Sequence, residues 1–273
     1  MKIEQGQVAV VTGGASGIGF GLAEALVDRG VAVALSDIRA EAVAEAAARL
    51  TGRGGRVLPV VTDVTDPASV DELADRTLTE FGQVDLVCNN AGVVCAAAPM
   101  WEQTLETWQR MIDIKVLGVV HGVRSFAPHL VRRGHGHILN TASSGGLAPL
   151  PDRTPYTATM HAIMGLTETL DIELRAAASG VGATVLCPGL VDTPLGQNSA
   201  TLGMLAPPRR VDPEAMKKYA AAEGGIISSR DVAEASLVAV EADRVHVAPG
   251  AGVYQRAEAR THALLSDIAH DRK

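Results

Sequence analysis

Three glycines in one short stretch offer the clearest chemistry in this sequence. Gly13, Gly17 and Gly19 lie in the run TGGASGIG, between the β-branched apolar residues 7–11 and apolar residues at helical spacing over 20–29. Glycine permits positive φ and a close approach of the backbone to a ligand, and the first N–H groups of the following helix point at an anion. The spacing therefore predicts a turn that binds phosphate, although an ordinary tight turn between a strand and a helix would also explain the glycines.

Strand-like and helix-like runs alternate along the rest of the chain. After the first strand and helix, further strands are predicted at 31–36, 56–61, 84–88, 137–141, 183–187 and 244–248. Helices are predicted at 40–50, 67–81, 105–131, 156–178 and 230–241, and the range 105–131 is long enough for one bent helix or two. This alternation predicts an α/β fold, a Rossmann-type doubly wound parallel sheet of seven strands with helices on both faces.

The length of 273 residues allows one large α/β domain or two small ones, with 47% apolar residues for a core and a net charge of -7. No internal repeat or low-complexity linker interrupts the chain, so we expect a single domain over residues 1–273. The charge argues against a nucleic-acid or acidic-membrane partner, because both are bound through clustered Lys and Arg. No apolar run is long enough to span a membrane, and residues 1–6 do not read as a secretory signal, so we expect a cytoplasmic protein. The irregular insertion 194–225, rich in Pro, Gly, Ala and Met, is typical of a mobile loop with a short helix.

No metal site is predicted. Cys88, Cys95 and Cys187 lie far apart without metal-ligand spacing, which fits a reduced compartment. The pair His135 and His137 stands in a glycine-rich turn with no third ligand nearby, so we expect a solvated loop there.

Small and polar residues follow the carboxyl ends of the predicted strands, where ligands bind in open parallel sheets. These ends carry the glycine turn, Asp37, Asp63, residues 89–92, Ser143, Pro188, Gly189 and Thr193. A hydrophobic core would not need such residues, and a cofactor site would. The ordinary preferences of turns explain the glycines, the proline and some of the aspartates, but they explain Ser143 and the Asn89-Asn90 pair less well.

In these motifs the chain resembles the classical short-chain dehydrogenase/reductase family over essentially its full length. The resemblance lies in the family's T-G-x3-G-x-G at 12–19, N-N-A-G at 89–92, a serine at Ser143, the tyrosine of Y-x-x-x-K at Tyr156, and P-G followed by T at 188–193. It implies an oxidoreductase that binds NAD through one set of residues: Gly13, Ser16, Gly17, Ile18, Gly19, Asp37, Asp63, Val64, Asn89, Ala91, Gly92, Tyr156, Pro188, Gly189 and Thr193.

Within that set the resemblance implies particular roles. Asp63 and Val64 would flank the adenine, residues 89–92 would shape the floor under the cofactor, and Thr193 would hold the nicotinamide carboxamide. The insertion 194–225 would be the substrate loop. The family also implies a homotetramer or homodimer, with the helices 105–131 and 156–178 packed across a two-fold axis.

Charge at the end of the second strand predicts which cofactor is bound. The carboxylate of Asp37 would accept hydrogen bonds from the adenosine ribose hydroxyls and repel a 2′-phosphate, which favours NAD. Ser16 is neutral, where relatives that use NADP often place a basic residue. Arg39 is the only cation near enough to complicate this choice, and we expect it to open the next helix.

The catalytic residues depart from the family pattern. Tyr156 would exchange a proton with the substrate oxygen and Ser143 would position that oxygen, but Met160 occupies the place of the lysine that lowers the phenol pKa. Bringing a phenol from pKa about 10 to near neutrality takes roughly 4 kcal/mol, which a thioether cannot supply. Lys115 stands where the family has asparagine, and it is the only lysine between residues 2 and 217.

Two interpretations of this exchange stay open. In one, the ammonium of Lys115 extends toward Tyr156 and replaces the missing lysine, so that the catalytic set is Ser143, Tyr156 and Lys115. In the other, Lys115 extends to solvent and Met160 fills the core. His161 lies about 100° around the helix from Met160 and is expected to serve in packing or in an interface.

The sequence thus favours an NAD-dependent oxidoreductase acting on an alcohol or ketone. The alternatives are an NAD-binding protein without redox turnover, serving as a scaffold, sensor or partner subunit, and an enzyme of the same fold with non-redox chemistry such as dehydration. Apolar residues expected around the chemistry predict a medium-sized, mostly apolar substrate. They are Cys95, Ala96, Ala97, Ala98, Leu147, Leu150, Leu190, Leu195 and Met204.

Overall fold

Seven parallel strands form one sheet in the computed structural model, which describes residues 1–204 and 225–270. The sheet order is β3-β2-β1-β4-β5-β6-β9, and every neighbouring pair is parallel. The strands of this sheet are β1 Val8–Thr12, β2 Ala32–Asp37, β3 Val57–Val61, β4 Leu86–Asn89, β5 Gly136–Thr141, β6 Val181–Leu186 and β9 His246–Val247. The predicted fold class is confirmed.

Helices cover both faces of this sheet, because its central strands are apolar on both sides. Leu22, Val43 and Leu237 belong to the core on one face, against α1, α2 and α8, and Leu73 and Phe126 belong to the core on the other, against α3, α5 and α6. The helices are α1 Gly17–Val27, α2 Ala40–Thr51, α3 Pro67–Phe81, α4 Leu105–Met111, α5 Gly118–Arg133, α6 Thr154–Ala177, α7 Leu195–Thr201, α8 Ser229–Glu241 and α9 Val253–His270.

The strand order reverses beside β1. From β1 the chain proceeds through β2 to β3 on one side and then crosses to β4 on the other. A crevice opens at the carboxyl ends of the strands wherever the order reverses in this way, and ligands of open α/β sheets bind in that crevice. The fold therefore places the glycine turn after β1 at the ligand-binding edge.

The long predicted helix at 105–131 is interrupted. Between α4 and α5 the segment Ile112–Leu117 is a π-helix, so the backbone continues without a break but with one widened turn. Such turns occur often at functional sites because they redirect side chains relative to a regular helix. Lys115 lies in this segment.

Three other features differ from the sequence prediction. The last strand covers only His246–Val247, and a second, two-stranded sheet pairs β7 Val191–Asp192 with β8 Ile227–Ser228. A C-terminal helix over Val253–His270 was not predicted. Val253 is its only buried residue among those described. Of the insertion 194–225, α7 and the residues up to 204 are described, and residues 205–224 lie outside the described part of the chain.

The prediction that the histidine pair forms a solvated loop is wrong for His137. His137 lies in β5 and is buried, with Nε2 2.7 Å from the hydroxyl oxygen of Thr184. That hydroxyl donates to the carbonyl of Arg244, so the Nε2–H group of the imidazole must donate to the hydroxyl. Burial lowers the pKa of His137 to about 4. The strand, not the turn, determines this residue's environment, since side chains of β5 face helices on both sides.

This histidine predicts an acid-sensitive fold. His137 takes up a proton near pH 6.5 in the unfolded chain but only near pH 4 in the folded one. The unfolded chain therefore binds more protons in that window, and stability falls as the pH drops, by about 2 to 3 kcal/mol at pH 4.5 relative to pH 7. Urea unfolding of the parent and of His137→Gln at both pH values measures this contribution. Equal losses in the two proteins would contradict the prediction.

The described residues offer neither a cluster of metal ligands nor a helix that could span a membrane. Over residues 1–204 and 225–270, no group of three His, Cys, Asp or Glu side chains could hold a metal ion. In the same part of the chain, no helix is long and apolar enough to cross a membrane. All three cysteines are buried free thiols.

Candidate active site

A cavity of about 880 Å³ opens at the carboxyl edge of the sheet. Its walls come from the turn after β1, the ends of β2 and β3, the loop after β4, the π segment, the loop after β5, the start of α6 and α7. Most of the residues predicted from the sequence line it: Gly13, Ser16, Gly17, Ile18, Asp37, Asp63, Val64, Ala91, Gly92, Lys115, Ser143, Tyr156, Pro188, Gly189 and Thr193.

The glycine turn has the conformation that the spacing requires. Gly13 and Gly17 have φ of 62° and 53°, a region that side chains disfavour. A Cβ on Gly13 would lie 2.8 Å from the Cα of Ala91, so only glycine lets the two loops approach this closely. Ser16 precedes α1 without capping it by a side-chain hydrogen bond, and the amino end of α1 therefore faces the cavity uncapped.

Two predicted cofactor residues do not line the cavity. A Cβ on Gly19 would lie 2.3 Å from the carbonyl oxygen of Gly13, so this glycine serves close packing inside the turn. Asn89 is buried, donates to Oδ1 of Asn140 at 2.9 Å, and packs against Gly122 of α5. Because successive residues of a strand point to opposite sides, the end of β4 directs Asn89 inward and the next residue toward the cavity.

That next residue, Asn90, lines the cavity; it lies in the range 89–92 predicted to form the cofactor floor, although it was not named singly as a cofactor residue. Its side-chain amide donates to the carbonyl of Thr12 at 3.1 Å, and its backbone N–H donates to the Thr12 hydroxyl at 2.9 Å. The same hydroxyl accepts from the N–H of Ala91 at 3.1 Å. Asn90 and Thr12 thus hold the loop after β4 against the glycine turn.

Asp37 stands at the end of β2 in a network of hydrogen bonds. Its carboxylate accepts from the N–H of Ala15 at 3.2 Å and from Nε of Arg39 at 3.1 Å. Arg39 immediately precedes α2, as expected, but its guanidinium folds back onto Asp37 instead of following the helix. Its Nη1 donates to Asn198 of α7 at 2.9 Å, and Asn198 donates to the Ser16 hydroxyl at 3.0 Å. The network joins three walls of the cavity.

At the other end of the cavity, Tyr156 follows the first residues of α6. Burial raises the pKa of Tyr156, while a hydrogen bond with the Ser143 side chain and the positive charge of Arg153 act in the opposite direction. The Ser143 hydroxyl also accepts from the N–H of Gly145 at 3.2 Å, which orients it. This places a phenol, a fixed hydroxyl and a cation on one cavity wall.

Lys115 does not extend into solvent, because its side chain is only 5% exposed. The ammonium lies 3.4 Å from the carbonyl of Thr141, and a Cβ on Gly92 would approach its Nζ to within 2.4 Å. Burial lowers the pKa of Lys115 to about 8. No carboxylate among residues 1–204 and 225–270 forms an ion pair with it.

Met160 is fully buried, with 0% exposure, and packs in a cluster with Val119, Ile163 and Val185. The thioether of Met160 thus fills the core, as the second interpretation required. Lys115, however, is buried at the cavity, as the first interpretation required, and does not extend to solvent. Tyr156 packs at the edge of the same cluster.

The expected apolar substrate residues divide into two groups. Leu150, Leu190 and Leu195 line the cavity. Cys95 and Met204 pack instead into a core cluster, Leu147 packs against the cluster that contains Met160, and residues 96–98 do not line the cavity. The prediction of these as pocket residues is wrong because nearness in sequence to the site does not fix which way a side chain points.

Several known proteins are similar to this chain in sequence. The family described as short chain dehydrogenase matches residues 7–201 of the chain. A 1-deoxy-11-beta-hydroxypentalenate dehydrogenase of Streptomyces avermitilis is 35% identical over 254 residues, which cover 92% of this chain and 87% of that protein. A 3beta-hydroxysteroid dehydrogenase 2 of Eggerthella lenta is 33% identical, over 80% of this chain and 81% of that one.

A crystal structure shows the same fold. A short chain dehydrogenase/reductase from Burkholderia phymatum, solved in complex with NAD, superposes with a TM-score of 0.86 at 34% identity. The superposition covers 100% of this chain and 98% of that one.

Proposed function

Because this chain belongs to the short-chain dehydrogenase family, whose members are dehydrogenases and reductases, we propose that it transfers a hydride between NAD(H) and an alcohol or ketone. One observation carries the proposal: a single cavity joins the glycine turn, Asp37 and the pair Ser143 and Tyr156. A dinucleotide can therefore lie along the sheet edge with its reactive end beside a proton-transfer group. The one domain over 1–273 would contain the whole reaction.

The residues at this edge fit a dinucleotide. The positive φ of Gly13 and Gly17 leaves room for phosphates at the start of α1. Thr62, which also lines the cavity, has a buried hydroxyl without a hydrogen-bond partner among the described residues, as expected for a residue beside a ligand's polar atoms. Asp37 would hold the ribose hydroxyls, and Thr193 the carboxamide. When bound, the nicotinamide accepts or supplies a hydride at ring carbon C4.

The chain's own residues would handle the proton. In oxidation, the Tyr156 phenolate takes the proton of the substrate hydroxyl, while the carbon that bears this hydroxyl loses a hydride. The Ser143 hydroxyl donates to the substrate oxygen and fixes its position. In reduction, Tyr156 returns the proton to the carbonyl oxygen. Both directions need a phenol whose pKa lies well below the value that burial alone gives it.

We propose that Lys115 supplies that reduction in pKa. Its ammonium is buried in the same cavity as Tyr156, and no ion pair with a described carboxylate neutralises it. A desolvated cation acts through a low dielectric on any phenolate that it can reach, and it is worth more there than in water. Arg153 adds a second positive charge on the Tyr156 side.

The proposed substrate is a medium-sized, mostly apolar alcohol or ketone. Leu150, Leu190 and Leu195 give the cavity an apolar wall beside Ser143 and Tyr156. The two curated relatives are named for a hydroxypentalenate and a hydroxysteroid, which supports a cyclic hydrocarbon frame bearing a secondary alcohol. Sugars are expected to be poor substrates.

Asp37 is expected to give at least a tenfold preference for NAD over NADP, about 1.4 kcal/mol. The Asp37→Ala variant should lose this preference, since the carboxylate no longer repels the 2′-phosphate and the Arg39 guanidinium, now bonded to Asp37, becomes free to bind it. Arg39→Ala is the matched control and should keep the preference for NAD. Calorimetric dissociation constants measure both. Equal constants for the two cofactors in the parent would refute this prediction.

A second candidate is an NAD-binding protein without redox turnover, favoured by Met160 at the lysine position. The absorbance of reduced nicotinamide, followed with a panel of cyclic and aromatic secondary alcohols, distinguishes the two. Turnover supports the oxidoreductase. Binding of NAD without turnover of any alcohol or ketone supports the scaffold, sensor or partner subunit, or non-redox chemistry such as dehydration.

We also propose a homotetramer or homodimer in the cytoplasm. Ile112, Leu117 and Val120 are exposed on the helix pair around the π segment, and Ile172 is exposed on α6. Apolar side chains grouped on the helices that would pack across a two-fold axis support an interface there. Sedimentation velocity measures the assembly. Three reduced thiols agree with the proposed compartment.

A further inference from the structure

Two arginines that the sequence analysis did not select line the cavity. Arg153 precedes α6 by one residue and Tyr156 by three, and Arg110 lies in α4. The Arg153 guanidinium donates to the backbone carbonyl of Cys95, and that of Arg110 donates to the carbonyl of Leu202. Each side chain is held by one backbone oxygen on a wall of the cavity.

Neither arginine has a counter-charge in the described structure. Over residues 1–204 and 225–270, no carboxylate oxygen lies within 4.0 Å of either guanidinium, whereas Arg39, Arg175 and Arg230 all form ion pairs. Asp113, which lines the same cavity, instead accepts from Gln109 at 2.7 Å. A guanidinium has five N–H donors in a planar fork, so most of them stay available.

The position of Arg153 ties this charge to the substrate. Its positive charge acts on Tyr156 and on Cys95, so it lies at the catalytic end of the cavity and not at the glycine turn. Leu150 lines the wall on the same loop. A ligand in contact with Tyr156 therefore meets an apolar surface and an uncompensated guanidinium together.

We infer that the substrate carries a carboxylate on its apolar frame, and that Arg153 binds this carboxylate, with Arg110 as a second cation. The inference rests on the proposed function and names the substrate class more closely. The planar fork of arginine matches a carboxylate through two parallel hydrogen bonds, and such charge-assisted bonds are about twice as strong as neutral ones. The apolar frame contacts the leucines, while the carboxylate supplies the counter-charge that Arg153 lacks among the described residues.

The first test compares one alcohol with and without the charge. With NAD present, 3-hydroxycyclohexane-1-carboxylate should be oxidised with kcat/KM at least about tenfold above that of its methyl ester, measured by reduced-nicotinamide absorbance. Arg153→Gln should raise KM for the acid about tenfold and leave KM for the ester nearly unchanged. Arg124→Gln, at an exposed arginine paired with Asp71, is the matched control and should alter neither. Loss of a positive charge beside Tyr156 should lower kcat for both substrates alike. An ester as good as the acid, or an equal rise in KM for both in Arg153→Gln, would overturn the inference.

The second test does not depend on turnover. Calorimetry with the NAD-loaded chain should show cyclohexanecarboxylate binding at least about tenfold more tightly than cyclohexanecarboxamide, with the difference lost in Arg153→Gln. Arg153→Lys, which keeps the charge but not the fork, should retain part of it. If no probe is oxidised but this selectivity holds, the proposed function fails and the carboxylate site stands. If the alcohols are oxidised but acid and amide bind alike, the carboxylate site fails alone.

Discussion

Replacement of Tyr156 by phenylalanine is expected to lower kcat about a thousandfold, within the range for loss of a general acid and base. The ring packs against the cluster that contains Met160, and phenylalanine keeps that packing, so the fold should change little and the other cofactor residues should still bind NAD. Steady-state rates with the best alcohol of the panel, together with calorimetric NAD binding, measure the two effects.

Tyr254→Phe is the matched control, because Tyr254 is 70% exposed on the C-terminal helix. It should behave as the parent. A Tyr156→Phe variant that keeps most of the parent's kcat would remove Tyr156 from the proton transfer, and it would favour the non-redox alternatives.

Replacement of Lys115 by methionine is expected to change rate and stability in opposite directions. The rate should fall about a hundredfold, because the phenolate loses its cation. The free energy of unfolding at pH 7 should rise by on the order of 3 kcal/mol. Burial lowers the pKa of Lys115 to about 8, so keeping its ammonium charged in the folded state at pH 7 costs stability, and methionine removes that cost. Steady-state kinetics and urea unfolding measure the two quantities on one preparation.

Opposite effects on rate and on stability distinguish a lysine that serves catalysis from one that serves the fold. A lysine kept for stability would destabilise the protein on removal, and a lysine without a role would leave the rate unchanged. Either result with Lys115→Met would contradict the proposed exchange. Lys2→Met, at the chain start, is the control for the loss of a lysine away from the cavity and should change neither quantity appreciably.

Substitution of Met160 by lysine tests the proposed exchange of Lys115 and Met160 at its second position. Met160→Lys alone should not raise activity, because it places a second ammonium beside the first and each lowers the pKa of the other. It also introduces a charge among Ile163 and Val185. Lys115→Asn combined with Met160→Lys should recover activity above that of Lys115→Asn alone, since it restores the family arrangement.

Much of the fold follows from the sequence because the central strands are apolar on both faces. The runs that form β1, β2 and β5 are buried along their whole length, and the connections between them are short. The features that were missed depend on partners, not on local pattern. The strands β7 and β8 have two residues each and form only against one another, and the C-terminal helix buries only Val253 among its described residues.

The candidate site likewise has a part that the local sequence pattern predicts and a part that depends on tertiary packing. Strand ends are predictable, since all parallel strands deliver their carboxyl ends to one edge, and most of the predicted residues do line the cavity there. Whether Asn89 or Asn90 faces the cavity depends on where β4 ends, since successive side chains point to opposite sides. Two adjacent asparagines in the sequence do not show which of them faces the cavity. Arg39, Arg110 and Arg153 reach the cavity through side-chain direction and tertiary packing, so their role was not visible in the sequence.

Titration of Tyr156 itself tests the central claim most directly. The chain has three tyrosines, so the ultraviolet absorbance of phenolate in the parent, less that of Tyr156→Phe, reports one group. If Lys115 supplies the cation, the same difference recorded in the Lys115→Met background should show the pKa of Tyr156 raised by at least about one unit, a coupling of about 1.4 kcal/mol. An unchanged pKa of Tyr156 after removal of Lys115 would contradict the account.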